Sequence, residues 1–236
     1  MSEAQGAWRR GVREALQVPA AVTAAGYLGF GALVSGYGGP LWAAVLSTLT
    51  MWALPGQLVL MDMWQVSAPL VAVLLAVAMA NARFFPMVLT LMPLLRDPQH
   101  TRGRLYAAAH FISMSSWTVC MQRCPQLPPG ERLPYLIGFA SACIAVGMLA
   151  GAVGYLIADA IPPAVQFGLL FLAPVYFFVM LIGEARSRIA ALALACGGPA
   201  GPLLHLVTPQ WSLLLAGVAG GTLAFAIHTM LERRRE

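Results

Sequence analysis

Apolar residues fall in long blocks separated by short polar or Pro/Gly-rich stretches. The blocks run to about 20 residues, the length a helix needs to cross a bilayer, whereas barrel strands would alternate over about 10. They cover Val18 to Gly36, Leu41 to Leu60, Val66 to Leu95, Leu105 to Gln122, Tyr135 to Ala158, Pro162 to Gly183, Ile189 to Val207 and Trp211 to Leu231. The pattern predicts an all-α integral membrane protein, one polytopic domain over residues 1–236, built as a bundle of about eight transmembrane helices. Residues 1–17, with Arg9, Arg10, Arg13 and Glu14, read as a cytoplasmic amphipathic lead-in.

Two blocks are interrupted where a spanning helix is normally whole. Leu54-Pro55-Gly56-Gln57 breaks the second and Asn81-Ala82-Arg83-Phe84-Phe85-Pro86 the third. Proline removes a backbone hydrogen bond and clashes with the preceding turn, and glycine loosens the chain. Backbone groups freed at membrane depth are tolerated only against protein or a water-filled cavity. Further interruptions are expected at Pro174 in the sixth block and at Gly197 to Pro202 in the seventh. Matching breaks in two four-span halves suggest a parallel internal repeat with the binding site at the breaks. Gly147 and Gly151, at GxxxG spacing, and the small residues of the first block suit close helix packing.

Composition strengthens the membrane reading: 59% of residues are hydrophobic and 10% charged, against roughly 25% charged in soluble domains. All 14 basic residues are Arg and they cluster between apolar blocks, so the charge of +5 reads as topology and not as nucleic-acid binding. With eight crossings, ten arginines share one side and Arg96, Arg102 and Arg104 lie opposite. The positive-inside rule then places both termini in the cytoplasm and the chain in the cytoplasmic (inner) membrane. In the rival topology the Pro55-Gly56 segment is a re-entrant hairpin. No small-residue cleavage site follows a short apolar core, so no removable signal peptide is expected. Trp42, Trp52, Trp64, Trp117 and Trp211 fall mostly near predicted ends, as an aromatic belt places them. Cys120, Cys124, Cys143 and Cys196 lack metal or disulfide spacing and read as packing residues.

Candidate chemistry concentrates at the breaks. Gln57 carries both donor and acceptor, which suits a zwitterion or a freed backbone carbonyl equally. Arg83, beside Asn81, can hold a substrate carboxylate, or else snorkel or cap a half-helix ended by Pro86. His110, with Ser113 three residues on, is either a proton relay or a hydrogen bond to a neighbouring helix. Ser115 and Ser116 can face a site or bond back to their own helix. No Walker-type stretch, His-Glu-x-x-His or buried carboxylate pair is present, so neither an enzyme nor a cofactor or metal is expected.

These residues resemble a known family. Pro19, Gly29-Phe30-Gly31, Ser47 and Ala53-Leu54-Pro55-Gly56-Gln57 follow the order of features in the AzlC family of branched-chain amino acid exporters, and Asn81-Ala82-Arg83 matches its Asn-x-Arg-His stretch. The likeness continues through Gly138, Pro174 and the Arg186 region. Three departures stand out. Leu54 and Pro55 replace Gly and Ala, Phe84 replaces the His, and Met114 and Ser115 stand where the family carries an Asp-Glu pair. The resemblance implies an efflux carrier for small amino acids that works by alternating access with a small AzlD-like membrane subunit. Its site would comprise Pro55, Gly56, Gln57, Asn81, Arg83, Ser113, Ser115 and Ser116. The competing class is a non-transporting subunit or a passive pore for a small solute.

Overall fold

The computed structural model describes residues 3–171, 175, 188–207 and 212–233; among these all regular structure is helical. The chain divides into two compact units, Met1–Tyr176 and Phe177–Glu236. In the first unit the helices are α1 Glu3–Ala15, α2 Val18–Gly36, α3 Leu41–Met51, α4 Leu54–Gln65, α5 Leu70–Asn81, α6 Phe84–Leu95, α7 Arg102–Ala109, α8 Met114–Arg123 and α9 Pro129–Leu156. A tenth, α10, covers residues 163–171.

α2 and α9 form the spine. Their register is constant, with Thr23 at Cys143, Tyr27 at Gly147 and Gly31 at Gly151, so the two helices run parallel. Gly31 rests on the carbonyl of Gly151, and Gly154 on that of Leu28, where any Cβ would collide with backbone. Of the expected GxxxG pair, Gly151 makes a contact between backbones, while Gly147 leaves room for the Tyr27 and Trp52 rings. α1 is amphipathic as expected, and its Ala7, Gly11 and Ala15 face is buried. It docks on the start of α9, where Arg10 pairs with Glu131 and Glu14 accepts from Tyr135 Oη (2.7 Å) and Arg123 Nε (3.1 Å).

The second apolar block folds back on itself. α3 leaves the turn after α2 and reaches Trp52, whose ring stacks on Tyr27 (5.7 Å between centroids) midway along α2. α4 then returns to the same turn. There Tyr37 donates to Asp62 (3.4 Å), and Gln65 Nε2 donates to the Tyr37 carbonyl (3.3 Å). A helix of 11 residues rises about 16 Å, which matches the distance along α2 from Tyr37 to Tyr27. The segment is thus a re-entrant hairpin, and its tip is Trp52-Ala53. The break expected at Pro55-Gly56 lies two residues earlier, because Pro55 occupies the first turn of α4, where its missing N–H costs nothing. Trp52 is consequently buried (5% exposed) and not at a belt, unlike Trp42 and Trp64, which are exposed.

α5 and α6 realise the expected break in the third block, bending by 51° at Ala82-Arg83. α6 continues to the α1 face, where Arg132 Nη1 donates to Leu94 O (3.0 Å). The fourth block carries a break that its sequence did not announce. α7 rises from the α1 face and ends at His110; α8 starts after Ser113 and returns to that face, where Arg123 meets Glu14. This is a second re-entrant hairpin, entering from the opposite side to the first.

α2 and α9 are long and apolar enough to cross a membrane, and so is the bent α5–α6 pair when taken as one span. Among the described residues of this unit, up to three candidate spans and two hairpins lie where five passes were expected. The loop 96–101 therefore shares a side with α1, which moves Arg96, Arg102 and Arg104 across from where eight crossings had put them. Apart from Arg83 at the break, every arginine among residues 3–171 now lies on that one side.

In the second unit α11 is Arg188–Val207 and α12 is Ser212–Arg233. α11 runs unbroken through Gly197 to Pro202, contrary to expectation. Close packing between the two helices rests on Gly220 of α12, where a Cβ would lie 2.7 Å from the Gly197 Cα, whereas a Cβ on Gly197 itself would meet nothing within 4 Å. Pro174 and Arg186 lie outside the described residues.

Candidate functional site at the helix breaks

Three helix pairs are interrupted at the same depth, and their breaks touch. A Cβ on Gly56 would lie 2.6 Å from both Oδ1 and Nδ2 of Asn81, so the side-chain amide at the end of α5 packs directly on the backbone of the first turn of α4. On the other side, the ring Nε2 of His110 lies 2.9 Å from the carbonyl oxygen of Leu49, one of the orphan acceptors in the last turn of α3. The first hairpin thereby joins the α5–α6 break to the tip of the second hairpin. Around this junction α4, α6 and α8 begin and α3, α5 and α7 end. Positive helix ends and negative helix ends meet in one place.

Gln57 is completely buried and its amide is committed. Tyr27 Oη donates to its Oε1 (3.0 Å), while its Nε2 donates to Ser47 Oγ (2.9 Å) and Thr48 Oγ1 (3.1 Å). Both hydroxyls pass their own protons to Ala44 O. The network staples α2, α3 and α4 across the tip. It holds Trp52 in a left-handed conformation (φ 43°), which costs roughly 1–2 kcal/mol for a non-glycine residue.

The serines of the second hairpin are likewise occupied locally. Ser113 N donates to Ser116 Oγ (2.8 Å), Ser116 N donates to Ser113 Oγ (3.4 Å), and Ser115 Oγ lies 3.2 Å from Ser113 Oγ. This is a capping box that closes the start of α8. Pro55 is exposed, on the first turn of α4.

Unsatisfied polar atoms mark what is left. Among the described residues, buried side-chain atoms without a hydrogen-bond partner are Trp52 Nε1, Asn81 Oδ1, Arg83 Nε and both ring nitrogens of His100. The first three belong to the two breaks that Gly56 and Asn81 hold together. Arg83 also lies over the Phe84 ring, its Cζ 5.3 Å from the centroid. An unpaired buried polar group costs about 1–3 kcal/mol, so three in one region require an explanation. Two are donors and one is an acceptor, the complement of a carboxylate and an ammonium group.

Of the residues singled out in the sequence, Gly56 and Asn81 are brought into contact. Gln57 lies beside them as scaffold, Arg83 lies at the same break, and Ser113, Ser115 and Ser116 share the second hairpin tip with His110. Tyr27, Trp52 and the Leu49 carbonyl were missed. Ser47 and Thr48, one helical turn ahead of Trp52, were the available signal for a polar staple.

No curated protein and no solved structure matches this chain. The sequence profile of the AzlC protein does match it, over residues 20–161, a stretch that contains all three breaks. That family points to a role connected with branched-chain amino acid transport, and its apolar helices to a membrane location. With more than half of its length matched, the chain belongs to the AzlC family.

Proposed function

We propose that the protein is a secondary carrier that exports branched-chain or similar small amino acids by alternating access at the junction of the three breaks. The observation that carries this reading is the set of unpaired polar atoms. Trp52 Nε1 and Arg83 Nε offer N–H groups to a carboxylate, and Asn81 Oδ1 accepts from an ammonium group. Half-helix ends of both signs at the same depth suit a zwitterion. One-sided arginines support an α1 face in the cytoplasm and an inner-membrane location. The Asp-Glu pair of the family is replaced by Met114 and Ser115, which favours flux that does not depend on a proton gradient. A small AzlD-like membrane subunit is the proposed partner.

The test is efflux of labelled leucine, isoleucine and valine from vesicles carrying the protein with and without that subunit, with and without an imposed proton gradient. Arg83→Ala and Asn81→Ala should each lower flux at least tenfold, and collapsing the gradient should leave it unchanged. Wild-type flux retained by both variants removes the junction from transport.

A further inference from the structure

The remaining unpaired buried atoms, the two ring nitrogens of His100, lie in a different place. On the α1 face, α6 and α7 run antiparallel and border an open pocket of about 750 Å³. Its polar lining includes Arg96, Asp97, His100 and Arg102, and its apolar wall includes Val88 and Leu105. Among the described residues neither guanidinium is in an ion pair, in contrast to Arg10 with Glu131 and Arg123 with Glu14. Asp97 spends one oxygen on the backbone N–H of Gln99 (2.8 Å). The wall reaches Ala109, the last residue of α7.

We infer that this cavity is a vestibule that binds the carboxylate of an amphiphilic small molecule before it passes to the junction. Arg96 and Arg102 supply the charge, an imidazole with both nitrogens unpaired supplies a further hydrogen bond, and the apolar wall takes an aliphatic tail. Two guanidiniums against one carboxylate select an anion, while the free oxygen of Asp97 accommodates the ammonium group of a zwitterion. The inference builds on the transport reading by giving the cytoplasmic side a loading site. A large, mostly apolar concavity with a few convergent charged groups is the usual form of such sites.

Hexanoate and n-hexylammonium, titrated calorimetrically into the full-length protein in nanodiscs with empty nanodiscs as reference, separate the possibilities. Hexanoate should bind, more weakly as salt is raised because the guanidiniums are exposed, and hexylammonium should not. Arg96→Gln combined with Arg102→Gln should weaken hexanoate about tenfold or more. Arg104→Gln, outside the lining, should leave it unchanged. Unaltered melting midpoints certify that the variants fold. Absent hexanoate binding, indifference to the double substitution, or equal affinity for hexylammonium overturns the vestibule. Hexanoate binding that depends on the two arginines, in a protein that moves no leucine, upholds the vestibule and rejects the transport reading alone.

Discussion

The side-chain amide of Asn81 occupies the space that a Cβ on Gly56 would need. That contact ties a re-entrant tip to the bend of a crossing helix, so the two residues should behave as one unit. Gly56→Ala and Asn81→Ala are each expected to cut transport about tenfold, and the double variant to cut it little further. A vesicle flux assay on the four proteins reads this; losses that multiply would show that the two residues act separately.

Gln57 is a stability residue first. Gln57→Leu strands the buried Tyr27 hydroxyl and removes three interhelical hydrogen bonds, which should cost about 2–4 kcal/mol, and Tyr27→Phe about 1 kcal/mol. Melting midpoints in detergent should fall in that order. A Gln57→Leu protein as stable as wild type would refute the staple.

His110 holds a helix-end carbonyl, a task an amide can do. His110→Gln should therefore keep transport within about threefold and leave its pH profile unmoved, where a relay residue would change the profile. Rates measured between pH 5 and 8 settle the assignment.

The spine tolerates no side chain where backbones meet. Gly31→Val should abolish recovery of monodisperse protein, whereas Gly36→Ala, where a Cβ meets nothing within 4 Å, should be neutral or stabilising by up to about 1 kcal/mol. Size-exclusion profiles of the two distinguish them.

Sidedness is open to chemical labelling. In a chain whose four cysteines are replaced, Gly6→Cys and Gly103→Cys should react with an impermeant thiol reagent from one face of the membrane and Ser67→Cys from the other. Eight full crossings would place Gly103 and Gly6 on opposite faces.

Some of this was legible in the residues and some was not. α2 spans Val18–Gly36 as read, because an unbroken apolar run opens with Pro19 in the first turn, where proline belongs. The α5–α6 break also stood in the sequence, as Asn81 and Arg83 inside an apolar run. Whether a broken block crosses or turns back depends on contacts that no local pattern holds. Tyr27 reaches Gln57 from 30 positions away, and Gln65 returns to Tyr37 from 28. The α7–α8 break escaped because its stop signal is a Ser113–Ser116 box that also reads as helix-tolerated serines. Gly197 to Pro202 misled in the opposite sense, since α11 carries Pro199 and Pro202 without a break.

The contact of Gly31 with Gly151 has a mechanical consequence. Backbones seated on each other cannot slide past intermediate registers, so α2 and α9 act as a fixed post, and displacement falls to the short segments hinged beside it. α6, with 12 residues, is a lever of about 18 Å. A swing of about 10° at Arg83 would carry its far end, where Arg96 stands, through about 3 Å. That is the width of a water molecule, and enough to open or close a path at the α1 face while the post stays still.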